Sequence, residues 1–223
     1  MAELVPFIVR QDDRSIAILY INNDFGKDQA EVFRDAYERS GGKVVFSEGY
    51  DPKSADFRSS LVKIKELSPD AVFLPGYAEV GRILTQAREL GTKAEFYSSF
   101  PFENTDILET AGNAAEGVVY PHFFDAQSDV GAMKDYQQKY TAKYGHPSEG
   151  FAAEAYNGML VIIAAMKKVG FSAEAIKEEL YRVSGFPGLF GEVSFDEKGD
   201  IAIPMLLKTV RDGEFVVLGE SGG

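Results

Sequence analysis

Between residues 15 and 100, short apolar runs rich in β-branched and aromatic residues alternate with amphipathic segments, and few folds can accommodate that alternation. Residues 15–21 (SIAILYI), 43–47 (KVVFS), 71–74 (AVFL) and 96–98 (FYS) are too short to fill a helix and read as buried strands. Between them, apolar residues recur at three- and four-residue spacing. The sets are Ala30, Phe33, Ala36 and Tyr37 within 26–40, then Phe57, Leu61, Ile64 and Leu67 within 57–67, then Val80, Ile83, Leu84 and Ala87. Each such helix offers one face to a sheet. Successive βα units with right-handed crossovers predict an α/β fold, a doubly wound parallel sheet of flavodoxin-like order.

The pattern changes after Tyr120. Residues 117–120 (GVVY) suit a fifth strand, which Pro121 is expected to end because it cannot donate to a central ladder. Residues 130–144, 151–168 and 172–183 carry helical patterns, followed by short strands at 191–195, 201–210 and 215–218. The pattern therefore divides the chain into 1–14, an α/β region at 15–124, a helical segment at 125–190, and C-terminal strands and tail at 191–223.

In such a sheet the ligand crevice lies outside the carboxyl ends of the strands. The loops there carry Phe25, Tyr77, Phe100, Phe102, Phe123 and Phe124, aromatics that suit a pocket sandwiching an organic ligand. Taken singly, each could equally seal the core. Enzyme signatures fail. The turn after the first strand, Asn22-Asn23-Asp24-Phe25-Gly26, lacks the glycines that a dinucleotide pyrophosphate needs, and Gly26-Lys27-Asp28 is not a phosphate loop. There is no Gly-x-Ser-x-Gly elbow. His122 and His146 have no metal-ligand spacing and read as solvent-exposed loop residues. Asp24, Glu79, Glu103 and Asp125 lie near strand ends, where carboxylates commonly complement helix dipoles. No catalytic residue, metal or cofactor is expected.

A formal charge of −12 argues against nucleic acid, whose phosphates require a basic face. The absence of cysteine removes thiolate chemistry and disulfides. No apolar run approaches the ~18 residues of a membrane span. Residues 1–10 (MAELVPFIVR) carry no secretory signal.

The stretch from Ala17 to Tyr77 resembles the type I periplasmic solute-binding proteins of the branched-chain amino acid (Leu/Ile/Val-binding) class of ABC transporters. The shared features occur in order: Asp24-Phe25-Gly26 after the first strand, Gly41-Gly42 before the second, Asp56-Phe57 opening a helix, and Pro69-Asp70-Ala71 before the third strand. QARELG (86–91), AAEGVVY (114–120), AAEAYNGMLVIIAAM (152–166) and FGEVSFDEKGD (190–200) continue the likeness.

The resemblance implies a periplasmic-binding-protein type I lobe that captures a small molecule for ABC transporter membrane subunits, in the periplasm or outside the cell. Residues 1–14 would be a crossover remnant entered at 6–10, residues 15–124 the α/β ligand-binding lobe, most of the N-terminal lobe would be lacking, and the helices at 125–190 would be those that pack on it. Their exposed faces could then form a homodimer. Closure would occur around residues 6–14 and 124–128. The ligand-binding residues implied are Phe25, Tyr77, Phe100, Phe102, Glu103 and Phe151. Phe100 stands where amino acid binders of the family place a carboxylate for the ligand ammonium, which favours an aromatic or apolar carboxylate over an amino acid. Three alternatives remain open: a ligand-sensing input domain of a regulator, an engineered or excised non-binding scaffold, and a flavodoxin-like enzyme using Asp24 and Glu103.

Overall fold

The computed structural model describes residues 1–126, 128, 131–201 and 205–219. Five parallel strands, β1 (Ser15–Ile21), β2 (Lys43–Tyr50), β3 (Ala71–Leu74), β4 (Glu95–Ser98) and β5 (Val119–His122), lie in the order 2-1-3-4-5, the doubly wound arrangement expected. Because successive side chains on a strand point to opposite faces, each strand feeds two cores. Ile16, Ile18, Ala71, Phe73 and Tyr97 pack beneath α1 (Leu4–Arg10) and α2 (Asp24–Arg39), where Phe33 stacks on Phe73 at 4.1 Å. Ala17, Leu19, Val72, Leu74 and Phe96 face α3 (Arg58–Leu67), α4 (Val80–Glu89) and α5 (Thr105–Ala111). Each large side chain so buried contributes about 1.5–3 kcal/mol.

Two elements of this sheet were not expected. Residues 4–10 form α1, whose Leu4, Val5 and Ile8 are buried against the sheet, a helix that the apolar spacing does not mark. Pro121 lies inside β5, opposite Leu207, instead of ending it. The β4–β5 ladder contains only the Tyr97–Val119 pair, so no strand flanks Pro121 on that side and its missing N–H is tolerated. Beyond β5 the sheet is completed by an antiparallel hairpin, β8 (Leu206–Arg211) and β9 (Glu214–Val217). Its turn uses Asp212 and Gly213, both at positive φ, as a two-residue turn matched to strand twist requires. The strand expected at 201–210 is thus confined to 206–211, and residues 202–204 and 220–223 lie outside the described residues.

The chain resolves into two compact units, Met1–His122 with Leu206–Gly223, and Phe123–Met205. The second holds α6 (Gly131–Tyr144), α7 (Gly150–Val169), α8 (Ala173–Leu180) and a small hairpin of β6 (Phe186–Gly188) and β7 (Gly191–Val193). The hairpin is anchored on α7, where buried Asn157 accepts a hydrogen bond from the Leu189 amide at 2.8 Å. Phe124, Met133, Tyr136, Ala153 and Leu189 form this unit's core. Ser172 caps α8 as its sequence suggests, its hydroxyl accepting from the Ala175 amide.

Candidate functional site

Three of the aromatics singled out in the sequence meet at the carboxyl edge of the parallel sheet. Phe25, in the first turn of α2, stacks on Tyr77 with ring centroids 5.1 Å apart and planes 24° from parallel. Phe100, which opens the 3₁₀ turn after β4, meets Phe25 edge-on at 6.0 Å. Tyr77 remains 41% exposed, so the group is a wall open to solvent and not a sealed piece of core.

Close backbone approaches set this wall. A Cβ on Gly26 would fall 2.0 Å from the Ile21 carbonyl oxygen, so only glycine lets α2 begin this close to the end of β1. Asn23 fixes that start by accepting from the Gly26 amide at 2.8 Å. A Cβ on Gly76 would lie 2.2 Å from the Tyr50 hydroxyl, which instead reaches Glu79 Oε1 at 2.8 Å. The same oxygen accepts from the Tyr77 amide at 3.0 Å, pinning the loop that presents the ring. Burial, and then the Glu79 charge, push the Tyr50 phenol well above its ordinary range, keeping it a neutral donor. Tyr50 and Gly76 escape a reading of sequence because the partnership with Glu79 spans 29 positions and only the sheet creates it. Beside Glu79 lies an open polar cavity of about 450 Å³ lined by Lys53, Arg82, Asp106 and Glu109 among others.

Of the remaining sequence candidates in the first unit, Phe102 and Glu103 do not join this group of rings. Phe102 is fully buried, packed on Tyr120 and Phe215. Glu103 accepts from the Tyr120 hydroxyl at 2.9 Å and pairs both oxygens with buried Lys208 at 2.6–2.7 Å. His122 is not the exposed loop residue expected. It is 3% exposed on β5, with Nδ1 3.8 Å from Glu103. The Glu103 carboxylate thus ties the loop after β4 to β5 and β8. Phe151 sits in the second unit, half exposed on α7. Phe124 is core there, and Phe123 meets Phe190 edge-on at 5.0 Å. The Ser99 hydroxyl, directly before Phe100, is buried with no hydrogen-bond partner among the described residues. Among those residues no cluster of His, Asp and Glu is arranged to hold a metal, and no helix is long and apolar enough to cross a membrane.

A parallel sheet in this order, helices on both faces, with aromatic instead of glycine-rich loops at its carboxyl edge, defines the lobe architecture of a type I periplasmic binding protein. The chain belongs to the periplasmic binding protein family, whose sequence profile matches residues 1–214. It is similar to the leucine-, isoleucine-, valine-, threonine- and alanine-binding protein of Pseudomonas aeruginosa, 31% identical over 195 residues, covering 86% of this chain and 52% of that protein. The Leu/Ile/Val-binding protein of Escherichia coli is 29% identical over 83% of the chain and 50% of its own length. The chain thus spans about half the length of the curated relatives it matches. Among solved structures, a leucine-binding protein from Thermotoga maritima shares the fold with a TM-score of 0.91 at 24% identity, covering 98% of this chain and 63% of that one. A branched-chain amino acid transporter substrate-binding protein from Streptococcus pneumoniae, solved with isoleucine, gives 0.85 at 25% identity over 96% and 63%.

Proposed function

We propose that this chain is the small-molecule-binding portion of a solute-binding protein serving an ABC importer, and that it holds its ligand against Phe25, Tyr77 and Phe100. The observation that carries this reading is the convergence of those three rings, drawn from separate βα loops, into one partly exposed wall at the ligand-binding edge of the sheet. The relatives named above are binding proteins for leucine, isoleucine and valine, and one of them also for threonine and alanine. Here the wall is aromatic throughout, and Glu103 is committed to Lys208 and Tyr120. Glu79, the carboxylate beside the wall, already accepts from the Tyr50 hydroxyl and the Tyr77 amide, so an aromatic or apolar carboxylate fits better than an amino acid, whose ammonium would need an anionic partner. Partners are the membrane subunits of the importer, the location is periplasmic or extracellular, and no catalytic step is assigned. The half-exposed Phe151, Met159 and Ile163 of α7 provide a face through which two copies could pair. Light scattering on the purified chain reads that directly.

The binding test is a thermal melt followed by tyrosine emission, against branched-chain amino acids and aromatic carboxylates. A ligand at 100 times its dissociation constant stabilises the fold by about 2.7 kcal/mol. Stabilisation by aromatic acids that is lost in F25A and Y77A supports the site. A cooperative melt that no compound moves, or a shift that both variants retain, removes it.

A further inference from the structure

The second unit holds a cavity with the composition of a binding site. It measures about 410 Å³ and opens between α6 and α7. Tyr136, Tyr140 and Tyr144 recur every fourth residue along α6 and so share one face, and Tyr156 of α7 closes on Tyr136 at 4.9 Å. Tyr140 lies 5.7 Å from Tyr136 and 4.5 Å from Tyr144, giving a continuous run of rings. Lys139 and Lys143, also four apart, line the same cavity, with the Lys143 ammonium 5.0 Å above the Tyr144 ring.

Plain helix packing explains part of this arrangement but leaves two facts unaccounted for. Tyr144 and Tyr156 are 52% and 43% exposed, so much of the aromatic surface is uncovered. The Tyr136 hydroxyl is buried with Ser148 as its polar neighbour; burial raises its ionisation range, and the Ser148 contact offsets this only in part. Finally, in a chain of net charge −12, neither lysine has a carboxylate within ion-pair distance among the described residues. Two unneutralised cations, a neutral donor and a wall of π faces together recognise a planar ring carrying an anionic group.

We infer that the α6–α7 cavity is a second ligand site, specific for aryl carboxylates, in which the ring lies against the tyrosines and the carboxylate is held by Lys139 and Lys143. It needs nothing from Phe25, Tyr77 or Phe100, so it stands or falls independently of the function proposed above.

The experiment is a titration of the full chain with 4-fluorobenzoate read by fluorine NMR, with 4-fluorobenzamide and acetate as controls. It is repeated in F25A/Y77A, which removes the first site, and in K139Q/K143Q, which alters only exposed side chains. Circular dichroism melts verify folding of each variant. The expected result is 4-fluorobenzoate binding that persists in F25A/Y77A, falls at least tenfold when K139Q/K143Q is added to that background, and is not reproduced by either control. A Y144A variant on the F25A/Y77A background should weaken it too. Loss of all binding in F25A/Y77A, retention of full affinity in K139Q/K143Q with F25A/Y77A, or equal binding of the amide overturns the assignment.

Discussion

Gln86 offers the most direct check on how the first unit is held together. It is buried within α4, and its side chain bridges to the segment that opens α3: Oε1 accepts from the Phe57 amide at 2.8 Å, while Nε2 donates to the Ala55 carbonyl at 3.0 Å. Gln86→Leu keeps the volume and removes both bonds. The Phe57 amide is buried and would lose its partner, at about 1–3 kcal/mol; the Ala55 carbonyl is only partly buried and adds about 1 kcal/mol at most. The sum is about 1–4 kcal/mol. With a urea m-value of about 2–3 kcal/mol/M, the midpoint should fall by about 1 M. Gln86→Glu distinguishes this account from a simple packing defect. An ionised carboxylate still accepts from Phe57 but faces the Ala55 carbonyl without a proton to share, so burial and the carbonyl should raise its pKa in the folded state. A raised carboxylate pKa means the folded state binds the proton more tightly. The variant should thus be most stable at acid pH and weaken as pH rises through the folded value. A Leu variant within 0.5 kcal/mol of the parent, or a Glu variant whose deficit is independent of pH, would refute the bridging argument.

Gly26→Ala forces a methyl group onto the Ile21 carbonyl, so it should cost about 1–3 kcal/mol or more and lower the melting temperature by several degrees; an unchanged melt would show that α2 can shift freely. Asp13, whose carboxylate accepts from the Tyr97 hydroxyl at 2.6 Å, has its pKa raised above the ordinary 3.8 by burial, with Tyr97 offsetting part of the shift. Its contribution is therefore full below that value and lost as pH rises through the folded value. The stability of the parent relative to Asp13→Asn should decline from about pH 4 upward, and a pH-independent difference in paired denaturation curves would contradict it. Asn157→Leu strands the Leu189 amide at a cost of about 1–3 kcal/mol; hydrogen exchange should accelerate across the β6–β7 hairpin while β1 and β3 keep their protection, and uniform acceleration would count against a local role.

The sequence by itself determined the elements that depend on near neighbours. Helical spacing in α2, α3 and α4, and the short β-branched runs of β1 and β3, express local periodicity, and a run of βα units leaves few ways to assemble them. The aromatic character of the sheet's carboxyl edge was legible for the same reason, since loops after strands must lie there. Tertiary structure decided everything that rests on long separations. Residues 4–10 became a helix because the sheet offered an apolar face to cover, although Pro6 and β-branched neighbours argue against one locally. Pro121 stayed in a strand because the ladder beside it had already ended. Of six candidate ligand residues, the fold brought Phe25, Tyr77 and Phe100 together, buried Phe102, and bound Glu103 to a lysine 105 positions away. Such partnerships have no signature along the chain. They arise when sheet register and helix docking place distant side chains in one low-dielectric space, where a charge or hydroxyl must find a partner and takes the one that packing supplies.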